Sequence, residues 1–138
     1  MIRFFLTSVT GWVAVLGTGI ETALPYLLRN GPLRANAGRV PDRVPKFKTR
    51  MWPHYWLGYL LAAVVLAHTS LVMGPAIGRT DAIGIWAATL ALFLLFLQVG
   101  LGLILKVGSR RQRQFRHWHF WSMIGFVGLL VIHIVRNG

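Results

Sequence analysis

Five histidines, His54, His68, His117, His119 and His133, are the residues best able to do chemistry in a sequence with no cysteine and only three carboxylates. Their spacing is regular. His54 and His68 are 14 positions apart, and so are His119 and His133. On an α-helix, 14 residues turn to within about 40° of the starting direction and rise about 21 Å. Each pair therefore points two imidazoles at one helix face, at two depths. If the two segments run parallel, His54 lies level with His119 and His68 with His133. Opposed neutral imidazoles in an apolar bundle suit a haem iron, which takes a nitrogen ligand above and below its plane. Such ligation leaves no open coordination position and favours electron transfer over oxygen chemistry. A single histidine at membrane depth is as often a hydrogen-bonding bundle residue, but two equal spacings at matching depths do not follow from unrelated packing needs. His117 stands 16 positions before His133, which swings it to nearly the opposite face. It is expected at the cytoplasmic surface, as an interface residue or beside a propionate or quinone.

The elements that must carry these side chains are apolar. Of 138 residues 55% are hydrophobic and 13% charged, and the mean hydropathy is +0.58, outside the range of an ordinary soluble domain. Four apolar runs, at about 4–28, 52–73, 82–107 and 118–135, are each long enough to cross a bilayer. Lipid cannot satisfy backbone amides and carbonyls, so the runs are read as four α-helices. The expected architecture is all-α: one transmembrane domain, an up-down-up-down four-helix bundle enclosing two haems. Little chain remains for a soluble catalytic domain. The absence of cysteine excludes disulfides, thiolate zinc, cysteine-held iron–sulfur clusters and covalently attached haem. There is also no G-x-G-x-x-G fingerprint, so flavin, nicotinamide and iron–sulfur centres would belong to partner subunits.

The net charge of +12, from 15 Lys and Arg against 3 Asp and Glu, could indicate nucleic acid, but its distribution says otherwise. Seven basic residues (Arg29, Arg34, Arg39, Arg43, Lys46, Lys48 and Arg50) fall between the first two runs, and five (Lys106, Arg110, Arg111, Arg113 and Arg116) at the third link. Only Arg3, Arg79 and Arg136 fall on the other side. The positive-inside rule then makes 29–50 and 108–117 cytoplasmic loops, with both termini on the outer side of a bacterial-type inner membrane. The first run lacks a small-residue cleavage pattern and is read as a helix rather than a secretory signal.

Further residues gain candidate roles from the histidines. Arg50 lies four before His54, Arg116 three before His119 and Arg136 three after His133, where each could meet a haem propionate or act as an interfacial arginine. Glu21 and Gln98 fall at depths where a quinone head group could meet a proton carrier, or where either could form an interhelical hydrogen bond. Trp52, Tyr55, Trp56, Tyr59, Trp118, Phe120 and Trp121 read as an interfacial aromatic belt. Gly58, Gly125 and Gly128 lie between the histidines, leaving room for a macrocycle or for helix contact.

The segments H-Y-W-L-G-Y-L-L-A-A-V-V-L-A-H and H-F-W-S-M-I-G-F-V-G-L-L-V-I-H resemble the paired ligand helices of di-haem membrane b-type cytochromes. The chain looks like the four-helix haem-bearing core of cytochrome b and is similar to small cytochrome b(561)-like proteins. The resemblance implies two haem b groups, one held by His54 and His119, the other by His68 and His133. Its departure lies in the glycines of the first and third runs, Gly11, Gly17, Gly19, Gly84, Gly100 and Gly102, which do not reproduce the family's haem-matched repeat. The expected function is transmembrane electron transfer by a membrane subunit of a redox complex, between quinone and partner subunits with flavin, iron–sulfur or other haem centres. Two alternatives are a self-sufficient small oxidoreductase fed by a diffusible donor, and a haem-free membrane anchor or assembly subunit whose histidines are polar glue.

Overall fold

The computed structural model describes residues 2–30, 51–73, 81–108 and 110–137, and they are almost wholly helical. The helices are α1 (Ile2–Asn30), α2 (Trp52–Val72), α3 (Ala82–Val107) and α4 (Gln112–Asn137). Each contains a stretch long and apolar enough to cross a membrane. The expected loop 29–50 beyond Asn30, with Arg50, and the link containing Arg79 lie outside the described residues.

Cross-helix contacts establish the directions. The end of α1 meets the start of α2 through Glu21 and His54, while its beginning meets the end of α2 through Thr7 and His68. In the second pair, Gln98 meets His119 and Gly84 meets His133. Both hairpins are therefore antiparallel, and α2 runs parallel to α4. α3 packs closely on α4 and α1 on α2, whereas α2 and α3 approach at few positions and the backbones of α2 and α4 scarcely approach.

Side-chain size explains the tight α3–α4 pair. Gly84, Ala87, Ala91 and Leu95 are buried along one stripe of α3, and small residues at three- and four-residue spacing let helix backbones draw together. Ala91, Leu95 and Phe126 form a core against which Ala62 and Val65 of α2 also pack. The outward faces carry Trp12, Leu16, Ile20, Trp86, Phe93, Phe96 and Val131, all exposed. In water such a surface would aggregate; in a bilayer it meets acyl chains.

The helix ends follow local chemistry. Pro53 sits in the first turn of α2, where a missing amide hydrogen costs nothing. Gly108 ends α3 at φ 95°, a backbone state that favours glycine. α4 corrects the sequence-based boundary, because it begins at Gln112 instead of Trp118 and takes Arg113, Arg116 and His117 out of the expected loop 108–117. Gln and Arg are good helix formers. Apolarity had marked only the membrane-buried part of the helix, not the polar turns that continue it.

Asp81 clasps the far end of the α3–α4 hairpin. Its Oδ1 accepts from the amides of Ile83 at 2.9 Å and Gly84 at 3.1 Å, capping α3. Arg136 of α4 donates to both carboxylate oxygens, at 3.2 Å through Nε and 2.7 Å through Nη2. Asn137 closes the clasp by accepting from the Asp81 amide at 2.9 Å. The Arg136 bond, followed by the amide bonds from the cap, holds the Asp81 carboxyl below the ordinary aspartate value. A lowered folded-state value means that the stabilisation is complete above about pH 4 and is lost as pH falls through the folded value. Asp81→Ala is expected to lower the thermal midpoint by a few degrees at pH 7. The gap from the unmutated protein should close in acid, as thermal scans followed by circular dichroism would show.

Candidate histidine ladder

His54, in the first turn of α2, and His119, in the first third of α4, come together. Their ring centroids are 6.3 Å apart and their planes 86° apart. Two imidazole–metal bonds of about 2.0–2.1 Å with two ring radii come to roughly 6 Å, the separation a shared metal requires. Nδ1 of His54 lies 2.8 Å from Oε1 of Glu21 on α1, an ion-pair distance off the line of an ideal hydrogen bond. On the other side, Gln98 of α3 donates to the His119 carbonyl at 2.6 Å and to Ser122 Oγ at 2.9 Å, pinning the turn that carries His119. Gly102 of α3 faces the His119 ring, whose Cε1 would be 3.9 Å from an added Cβ.

His68 and His133 form the second level, with His133 within electrostatic reach of His68. Nδ1 of His68 lies 3.1 Å from the Thr7 carbonyl and 3.2 Å from Thr10 Oγ1, both on α1. Nδ1 of His133 lies 3.0 Å from the Gly84 carbonyl on α3. A carbonyl can only accept, so in each ring Nδ1 carries the hydrogen and Nε2 keeps a lone pair. At His54 the Glu21 carboxylate lies beside Nδ1 without a hydrogen bond to it. Two of the four imidazoles, His68 and His133, are thus oriented through Nδ1 by an acceptor on α1 or α3, the outer-shell arrangement typical of metal-ligating histidine.

Seven residues from each histidine, and so on the same face, stand Leu61 on α2 and Phe126 on α4, 5% and 6% exposed. Leu61 lies against Gly17 of α1 and Phe126 packs with Ala91 and Leu95 of α3, both at a depth between the two levels. The two levels lie about 21 Å apart along the helices, with buried apolar residues at the depth between them.

The other sequence candidates are distributed differently. Arg136 is engaged by Asp81, so its guanidinium already has a carboxylate partner within the protein. Arg116 is exposed, and its Nε donates to the Gln112 carbonyl of its own helix at 3.4 Å. With Arg110, Arg111, Arg113 and His117 it lines an open groove of about 650 Å³ at the start of α4. His117 is exposed there, its ring edge-on to Trp121 with centroids 6.1 Å apart. Gln98 takes the interhelical hydrogen-bond role, and Glu21 is brought to His54. Gly58 makes room for Glu21, and an added Cβ at Gly125 would meet Leu94 at 3.0 Å, so these two serve contact within the bundle; Gly128 faces open space.

Sequence reasoning did not single out Thr7, Thr10, Gly11, Gly84 or Gly102 as partners of the histidines. Gly11 lies against the His68 ring, whose Cε1 would be 3.1 Å from an added Cβ. The usable signal was positional: each lies on α1 or α3 at a histidine's depth. Among the described residues no group of three or more histidine, carboxylate or thiol side chains forms a metal cluster, so any metal here would rest on paired imidazoles. The donor set is compatible with haem iron: paired imidazoles 6.3 Å apart at the first level, Nδ1 engaged and Nε2 left with a lone pair at the second, and helices α2 and α4 whose backbones stand apart. Three buried polar atoms at the first level, Glu21 Oε2, His54 Nδ1 and His119 Nδ1, have no hydrogen-bond partner. Comparison with family models, curated proteins and solved structures gives no match to this chain, so its assignment rests on this geometry.

Proposed function

We propose that the chain is a di-haem b-type cytochrome of the membrane, with His54 and His119 holding one haem and His68 and His133 the other. A bis-histidine haem supplies one-electron chemistry without an open coordination position. The observation that carries the reading is the pairing of the rings with the use of Nδ1: His54 and His119 stand 6.3 Å apart, and at the other level Thr7 and Gly84 each present an acceptor to Nδ1 and leave Nε2 available. Helices α1 and α3 brace the rings, α2 and α4 carry them, and Leu61 and Phe126 are buried at a depth between the levels. Two such levels within one bundle would pass electrons across the bilayer. In this reading the protein is the membrane subunit of a redox complex in a bacterial-type inner membrane, exchanging electrons with quinone and with partner subunits. The basic link at α3–α4 lies on the cytoplasmic side by the positive-inside rule, with both termini opposite.

A haem-free anchor is favoured by one fact, the hydrogen bonds that His68 and His133 already make between helices. Those bonds account for one nitrogen of each ring and not for the equal depths of the pairs. Purification from membranes in mild detergent decides between the readings. The expected result is a reduced-minus-oxidised spectrum of low-spin haem b with close to two haems per chain. A colourless protein that stays colourless when expressed with surplus haem would overturn the cytochrome reading.

A further inference from the structure

The two levels differ in what holds the second imidazole nitrogen. At the His68–His133 level both partners are backbone carbonyls, of Thr7 and Gly84. At the His54–His119 level the partner is the carboxylate of Glu21, 2.8 Å from His54 Nδ1, with Glu21 only 17% exposed. The carboxylate is placed there by two helices. Gly58, one turn after His54 on α2, leaves the space that Oε1 fills, since an added Cβ would come within 3.1 Å of it. The other oxygen, Oε2, is buried without a hydrogen-bond partner. Neither nearby imidazole supplies a full positive charge while neutral, and Lys106 is turned to the Tyr55 ring, 5.5 Å from its centroid. A buried carboxylate in this setting calls for a cationic neighbour.

We infer that Glu21 is a positioning residue that makes the two haem sites unequal, giving the His54–His119 site the lower reduction potential. The inference rests on the cytochrome reading. The Glu21 carboxylate lies 2.8 Å from His54 Nδ1 without a hydrogen bond to it and acts on the site through its charge. That negative charge stabilises the oxidised iron, which carries the extra positive charge, and a low-dielectric bundle screens the attraction little. The backbone carbonyls of Thr7 and Gly84 carry no net charge and have no such effect. An electron on the chain would therefore reside preferentially at the His68–His133 level.

Redox titration of the purified protein, followed optically and by low-temperature electron paramagnetic resonance, tests this. In the unmutated protein two midpoints should resolve. In Glu21→Gln, which keeps the shape and removes the charge, the lower midpoint should rise toward the upper one, the low-spin signal of one haem should shift, and the other haem should be unmoved. Gly58→Ala, which pushes the carboxylate from its seat, should move the same midpoint in the same direction by less. Two bound haems with both midpoints unchanged in Glu21→Gln and Gly58→Ala would overturn the inference while leaving the cytochrome reading intact. A shift confined to the haem that His133→Ala removes would overturn it too. A colourless unmutated protein would overturn both. Should Glu21→Gln fail to accumulate, Gly58→Ala decides.

Discussion

His133→Ala is expected to halve the haem content of the purified protein, and His68→Ala to remove the same haem. His54→Ala and His119→Ala should each remove the other one, while His117→Ala leaves the count unchanged. The expectation follows from the separation of the two levels. Leu61 and Phe126 are buried between them, and each level is braced by its own contacts: Thr7, Thr10 and Gly84 at one, Glu21 and Gln98 at the other. Loss of one imidazole leaves a low-spin site without an axial ligand but does not disturb the braces of the second. If the histidines were only polar glue, all four substitutions would instead cost stability, by about 0.6 kcal/mol for a typical interhelical hydrogen bond in a membrane protein, and no pigment would be lost in pairs. Haem-to-protein ratios measured on pyridine extracts, together with the number of resolved redox midpoints, distinguish the two outcomes. Retention of both haems after any one of the four changes would break the pairing. Loss of both after each would mean that the levels are not independent.

The helices and the histidine faces were legible because both depend on periodicity and apolar length, which are properties of the sequence itself. The depth match between His54 and His119 needed only a count and an assumption about direction. What orients the rings was not legible, for a physical reason. The acceptors at Thr7 and Gly84 are backbone carbonyls, which every residue has, so no residue type marks the one that will be used. Glu21 was visible as an ionisable residue at membrane depth, but its partner depends on which helix α1 packs against, which a single residue's position along the chain does not give. Arg136 illustrates the converse. Its scarcity on that side drew attention toward a bound anion, whereas the partner present is Asp81, 55 positions away. The beginning of α4 was missed because helicity continues past the bilayer's apolar zone, through Gln112–His117, where hydropathy carries no signal.

Gly11→Val should remove the haem at the His68–His133 level and spare the other. Gly11 faces α2, and an added Cβ would stand 3.1 Å from His68 Cε1 and 3.4 Å from Nδ1. Alanine alone asks the ring to give by a few tenths of an ångström, which a bond to the Thr7 carbonyl could absorb. Valine adds two methyl groups with one preferred χ1 on a helix. The ring cannot swing away freely, since Thr7 and Thr10 sit one turn before and beside Gly11 on the same helix and hold Nδ1. Either the imidazole leaves its acceptors, freeing the tautomer and misdirecting Nε2, or α1 moves off α2. Overpacking of this kind costs about 1–3 kcal/mol, and misplacement of a ligand by a fraction of an ångström adds loss of metal affinity to it. Gly19 is the matched control: it lies on the same helix with nothing within 4 Å of an added Cβ, so Gly19→Ala should keep both haems and the thermal midpoint. Haem content and redox midpoints of Gly11→Ala, Gly11→Val and Gly19→Ala, measured side by side, should therefore fall in a graded order. Equal haem content in Gly11→Val and Gly19→Ala would show that the His68 ring does not depend on the space Gly11 leaves.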